Sequence, residues 1–342
     1  MTDPGEERTP EPQDDDATAP IPPSPPHGQP SSSFQGHMRA ARSEFDHQVE
    51  LARAGFEETN ARIRERTGRD LILAILIGLA VGVIVFVSIV FANWPFVVLV
   101  TGVGLLGVFE LSRALQSAGR RVDVVPQLIG GLLVLLSSYF FGGWQHWVAL
   151  FVSVCFVIVW RLIAQMAARD GRVYLDVVGD ALTAGFVQIY VPFLASMALV
   201  LLRQPDGTWW VLAFLIVVIA VDTGAYVTGL TLGRHPMAPR VSPKKTWEGF
   251  AGAVVAAVAA GILLAWLMLG LPWWTGIVFG LALLLTATVG DLGESMIKRD
   301  LGIKDMSSWL PGHGGVLDRL DSILPSAVAA LALYYLLSPL AV

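Results

Sequence analysis

The sequence predicts an all-α, polytopic integral membrane protein with about nine transmembrane helices and a disordered N-terminal tail. Composition is the first reason: 54% of the 342 residues are hydrophobic and 15% charged, with a mean hydropathy of +0.61, whereas soluble domains carry about 25% charged residues. Too few polar side chains are present to cover a water-facing surface. Second, apolar runs of about 20 residues, enough to cross a ~30 Å hydrocarbon core, recur along the chain. Third, the charges of the C-terminal half gather in tight clusters between those runs. Cys155 is the single cysteine, so neither a disulfide framework nor a Cys-based metal site is expected.

Residues 1 to 36 combine Pro, Ser, Asp and Glu with almost no large apolar side chains; positions 1 to 30 hold seven acidic residues, one Arg and nine Pro. Such a segment cannot bury enough surface to offset chain entropy and is expected to be disordered. From 37 to 69 the composition turns helical, and Phe45, Val49, Ala52, Phe56 and Ile63 form a heptad-like stripe. That stripe suits a cytoplasmic amphipathic helix on the membrane or against the protein, or a short coiled coil pairing two copies into a homodimer. The membrane domain, residues 70 to 342, begins with LILAILIGLAVGVIVFVSIVF, 21 uncharged residues from Leu71, too long and too far in for a cleaved signal peptide. Further spans are expected at about 94 to 115, 128 to 142, 146 to 163, 180 to 202, 209 to 230, 250 to 270, 274 to 291 and 323 to 340. Most of the eleven Trp fall at span ends, where they anchor in the interface.

Lys and Arg orient these spans. The connections after spans two, four, six and eight hold Arg120, Arg121, Arg169, Arg172, Arg234, Arg240 and the cations of two long loops, and the segment before span one adds Arg62, Arg64, Arg66 and Arg69; the other side holds only Arg203. Retained positive charge marks the cytoplasmic side. The N-terminus and both charged loops are therefore expected in the cytoplasm, and the C-terminus outside.

A transporter scatters polar residues through its spans; here they concentrate in two cytoplasmic stretches, which points to an enzyme. In the first, residues 222 to 250, Asp222 lies near the inner end of span six, where a lone carboxylate costs about 2.5 to 3.5 kcal/mol and calls for a partner. Gly224, Gly229 and Gly233 permit close backbone approach, and Ser242, Lys244, Lys245 and Thr246 form a compact donor set suited to a polyphosphate. The plainer alternative makes Lys244 and Lys245 membrane anchors. Glu110 with Arg113, and Arg161, are polar residues near the cytoplasmic edge that read as local ion pairs or snorkelling side chains.

In the second stretch, residues 290 to 322, continuation of span eight as a helix would stack Asp291, Ser295 and Lys298 on one face. Pro311-Gly-His313-Gly314-Gly315 forms a permissive loop whose N–H groups could turn inward as an anion nest. Asp318 and Asp321, three apart around Arg319, can face one site. Carboxylates at Asp291, Asp318 and Asp321 beside Lys298, Arg299, Lys304 and Arg319 suit a hard divalent cation with phosphate groups, which is the binding style of Mg2+. Zinc fits less well, because His313 is the single soft ligand. His313 reads equally as a proton carrier or phosphate donor and as a residue that fixes the loop.

The run Ser295-Met-Ile-Lys298-Arg299, then Lys304-Asp305, then Leu310-Pro-Gly-His313-Gly-Gly-Val-Leu-Asp318-Arg319-Leu-Asp321-Ser322, closely resembles the signature of the phosphatidate cytidylyltransferase, or CDP-diacylglycerol synthase, family. The SPKKTWEG and DTGAY blocks look like the same family's, in the same order, and the resemblance covers about residues 70 to 342. It implies transfer of the cytidylyl group of CTP to phosphatidic acid, releasing pyrophosphate, in the plasma membrane of a bacterium. Asp291, Lys298, Asp318, Arg319 and Asp321 then carry the chemistry, with metal at the three carboxylates. Asp222, Ser242, Lys244, Lys245, Thr246, Ser295, Arg299, Lys304, His313, Gly314 and Gly315 hold substrate. By resemblance a second, monovalent cation such as K+ shares the carboxylates. No nucleic-acid partner is expected. Two rivals use the same residues differently: a CTP-dependent enzyme acting on another membrane lipid, and a cation-coupled transporter with Asp222 and Asp291 as its ion site. The loop signature argues against the first, and carboxylates at span ends without an internal repeat argue against the second.

Overall fold

The computed structural model describes residues 71–168, 171–307 and 314–341; the expected tail and amphipathic segment lie outside them, as does His313. The chain is a helical bundle, as a lipid environment demands, because a helix satisfies its own backbone polar groups where no water can. The helices are α1 (Leu71–Phe91), α2 (Asn93–Ser117), α3 (Val124–Phe140), α4 (Gly143–Ala167), α5 (Tyr174–Gln188), α6 (Leu194–Leu202), α7 (Gly207–Leu232), α8 (Trp247–Leu267), α9 (Trp273–Asp300), α10 (Leu317–Leu320) and α11 (Ile323–Leu337). Among the described residues seven helical stretches are long and apolar enough to span a membrane, and α3 and the 78–91 part of α1 are shorter apolar helices. Together they match the nine expected spans. The outward face is studded with Phe91, Trp144, Phe151 and Leu285, an apolar surface that only lipid would cover without cost.

Three features depart from plain helices. Span five comprises α5 and α6 joined by a π-helical turn, Ile189–Phe193, which contains Pro192; proline supplies no N–H, so the ladder widens there. The span also begins earlier than expected, at Tyr174. Between α7 and α8 the chain forms an antiparallel hairpin, β1 (Pro236–Ala238) and β2 (Ser242–Thr246), which periodicity did not reveal. Its return strand ends at Thr246, whose hydroxyl accepts from Gly249 N at 3.1 Å and caps α8. Third, α9 runs past the expected span end near 291 to Asp300, the helical continuation that stacks Asp291, Ser295 and Lys298.

Small residues let α8 pack closely against its neighbours. A Cβ on Gly261 would collide with Gly276 O of α9, and one on Gly280 with Ala257 O; without a hydrophobic drive between helices in lipid, such backbone approach is a principal source of association. Around this pair Trp210, Phe279 and Tyr334 pack edge to face, Trp210 lying 5.8 Å from Phe279 and 5.2 Å from Tyr334 between ring centres. A second, polar seam joins α3, α4 and span five: Ser153 Oγ donates to Gln188 Oε1 at 2.9 Å, Gln188 Nε2 to Gln127 O at 2.9 Å, and His146 contacts Ser137 and Ser196. At the end of the bundle away from the long charged loops, Arg203 donates to the carbonyls of Ser138 and Phe141, closing the last turn of α3.

Candidate active site

The uninterrupted α9 creates the site. Its extra turns carry Asp291, Ser295 and Lys298 on one face, with Ser295 Oγ donating to Asp291 Oδ1 at 3.5 Å. Glu294 lies among them, fully buried, and was not singled out in the sequence. Its place three residues after Asp291 was the available signal. Lys298 Nζ reaches Glu294 Oε1 at 3.2 Å and, across the long loop, Asp318 Oδ1 at 3.0 Å. Glu294 Oε2 and the Tyr190 hydroxyl are both buried and have no hydrogen-bond partner among the described residues.

Three further carboxylates come from separate elements. Asp222 of α7, Asp291 of α9 and Asp321 at the end of α10 lie close enough to act on one another electrostatically. The Ser322 side chain lies beside Asp222, and the Ser322 N–H donates to Asp321 Oδ1 at 2.6 Å. Lys245 of the hairpin pairs with Asp291, so it serves a carboxylate in this structure, and Arg299 Nε donates to Val241 O at 3.2 Å, tying the hairpin to α9. Asp318 is differently placed: Gly315 N donates to its Oδ2 at 2.7 Å, and Met306 N approaches both oxygens at 3.2 and 3.3 Å. The Gly315 N–H expected in an anion nest is thus turned onto Asp318. Gly314 has φ +78°, and a Cβ there would stand 2.7 Å from Asp318 Oδ2, so glycine is required.

Glu110 is not a partner for Arg113, which donates to Gln116 Oε1 at 3.1 Å. It is 3% exposed and accepts from Ser307 Oγ at 2.6 Å, Val316 N at 3.0 Å and Leu317 N at 2.8 Å. Arg161, by contrast, does sit in a local ion cluster, 3.8 Å from buried Asp180 and 3.7 Å from Asp123, with Arg172 Nη1 2.6 Å from Asp180.

A cavity of about 1410 Å³ opens beside these groups. Its polar end holds Ser242, Lys244, Thr246, Ser295, Lys298, Arg299, Lys304 and Arg319; its other end is walled by Val85 of α1, Phe96 and Leu99 of α2, Phe214 of α7 and Ala327 of α11. The four aspartates stand behind the polar wall and are not among its lining residues. Lys298 is the link, lining the cavity while bound to Asp318 and Glu294.

Hard oxygen donors on the end of α9 and the start of the last span suit magnesium in kind. Among the described residues no three His, Cys, Asp or Glu side chains converge enough to enclose an ion. A cation there would be held by one or two carboxylates and completed by substrate phosphates and water.

A helical membrane bundle that sets a cationic, carboxylate-backed pocket at the mouth of an apolar cavity is the frame of an integral membrane enzyme that handles phosphate groups. Residues 72–337 match the profile of the cytidylyltransferase family, and the chain belongs to that family of nucleotidyltransferases. It is 39% identical over 284 residues to a protein of Mycobacterium bovis named phosphatidate cytidylyltransferase, covering 81% of this chain and 92% of that one. A protein of the same name from Mycobacterium leprae is 39% identical over 280 residues, 80% and 90% of the two chains. One from Brucella suis is 44% identical over 144 residues, 42% of this chain and 52% of the other.

Proposed function

We propose that the protein transfers the cytidylyl group of CTP to phosphatidic acid, giving CDP-diacylglycerol and pyrophosphate, at the cytoplasmic face of a bacterial plasma membrane. The observation that carries this reading is the continuity of one cavity from an apolar arm to a cationic mouth. Its lining runs from Phe96 to Gly104 on α2, a depth of about 12 Å at ~1.5 Å rise per residue. Acyl chains suit that arm, and the phosphates of lipid and nucleotide suit the mouth.

In the reaction an oxygen of the phosphatidic acid phosphate attacks the α-phosphorus of CTP, the bond from that phosphorus to the bridging oxygen breaks, and pyrophosphate leaves with the electron pair. The nucleophile is already anionic, so no strong base is required. The cost lies in bringing polyanions together, and positioning with charge neutralisation supplies most of the catalysis. Lys298, Arg299, Lys304 and Arg319 stabilise the α-phosphate and the leaving group, while Ser242, Lys244 and Thr246 hold the triphosphate. One or two of Asp291, Asp318 and Asp321 would hold Mg2+, which when bound neutralises phosphate charge as a Lewis acid and template. Purified protein given CTP and phosphatidic acid should release pyrophosphate and form the CDP-lipid. Release with a lipid alcohol in place of phosphatidic acid, or none with either, would refute the assignment.

A further inference from the structure

The chain leaves the end of α9, passes Met306 and Ser307, and returns at Gly314 to enter α10; residues 308–313 lie outside those described. Two carboxylates from different helices each grip both sides of this neck. Asp318 takes the N–H of Met306 from the outgoing strand and that of Gly315 from the returning one. Glu110 takes the hydroxyl of Ser307 from the outgoing strand and the N–H groups of Val316 and Leu317 from the returning one. The closeness is specific: a Cβ on Gly315 would lie 2.7 Å from Glu110 Oε2. Glu110 is the member that comes from afar, belonging to α2, whose Val103 and Gly104 also wall the apolar arm of the cavity.

Burying a carboxylate costs several kcal/mol, and an apolar contact would join two helices more cheaply. What the carboxylate adds is direction, since its lone pairs set where two successive N–H groups of one turn must point. That turn carries Asp318, which holds Lys298, and Arg319, and both cations line the cavity. We propose that Glu110 is a positioning residue for the reaction, cross-tying the neck of the loop so that the turn bearing Asp318 and Arg319 holds its cations in register with the substrate phosphates. The inference rests on the cytidylyl-transfer reading and adds to it a residue that touches no substrate.

Glu110→Gln keeps size but turns an amide N–H toward an N–H donor. In full-length protein in detergent, kcat should fall at least about tenfold while KM for CTP and for lipid stays within about threefold, the pattern of an interaction that matters in the transition state. Ser307→Ala should give a smaller loss of kcat, and the double variant should be no worse than Glu110→Gln alone, because the hydroxyl acts through the carboxylate. Amide exchange over 314–320, measured without substrate, should quicken in both variants while that of α8 does not. If Glu110→Gln fails to fold, Ser307→Ala carries the test by the same two readouts. Full specific activity in either folded variant, strictly additive losses, or unchanged exchange over 314–320 would overturn the proposal. A wild-type protein that releases no pyrophosphate would overturn the functional reading instead, and the exchange measurement would still decide whether the tie exists.

Discussion

Lys298 donates to Asp318 at 3.0 Å, joining the last turn of α9 to the first turn of α10 across the long loop, and the same ammonium lies 3.2 Å from Glu294. Glu294 is fully buried and Lys298 is 16% exposed at its side chain. One cation thus balances two carboxylates and lines the cavity as well.

Lys298→Met should therefore cost both stability and turnover. Removing one partner of a buried pair costs about 3–5 kcal/mol, somewhat less here because Lys298 is not wholly enclosed. Thermal unfolding in detergent should shift downward, and pyrophosphate release should fall at least about a hundredfold. Adding Glu294→Gln should restore part of the stability and none of the activity. An unaltered unfolding temperature in the single variant would contradict this account of the pair.

Asp291→Asn and Asp318→Asn should each abolish turnover without loss of membrane insertion, and chelation of divalent cations should do the same to the wild type until Mg2+ is returned. The two variants should differ in stability. Asp318 accepts from Met306 and Gly315 as well as Lys298, whereas Asp291 meets Lys245 and Ser295. Asp318→Asn should unfold at the lower temperature; near-normal activity of either at saturating Mg2+ would refute the carboxylate site.

Gly261→Leu should weaken the α8–α9 pair, because its side chain would meet Gly276 backbone with nowhere to turn. Overpacking of this kind costs about 1–3 kcal/mol. A lower unfolding temperature with normal KM for CTP in the folded fraction is expected, and a fully stable variant would show that the helices can part without cost.

Orientation is tested by labelling in intact cells, on a background with Cys155 replaced. A cysteine near Gly207, between α6 and α7, should react with an impermeant reagent, and one near Ala238 in the hairpin should not. The reverse pattern would put the nucleotide site on the outer face.

The chain by itself determined the number and order of the membrane helices, because a span is written in a contiguous apolar run whose length the bilayer sets. It also determined the chemistry on offer, since the residues from Ser295 to Ser322 bring carboxylates, cations and glycines together in one segment. What periodicity could not decide was where α9 would end. The span is expected to leave the membrane near 291, and its spacing leaves open whether the helix runs on; the polar residues of the extra turns find partners on α10 and the hairpin, and the helix continues to Asp300. The hairpin went unseen because its strands, at three and five residues, are too short for any alternation to register.

Only the tertiary structure decided which polar groups serve one another. Glu110 sits three residues from Arg113, and spacing alone pairs them; the fold gives the carboxylate to Ser307, Val316 and Leu317, about two hundred positions away. Lys245 meets Asp291, and Lys298 meets Asp318, by the same rule. The continuity of the cavity is likewise a product of α1, α2, α6, α7 and α11 standing side by side. The physical reason is that hydropathy is additive along a chain and can be read locally, whereas a buried charge takes whichever donor the packed helices bring within reach, and that depends on every contact between them.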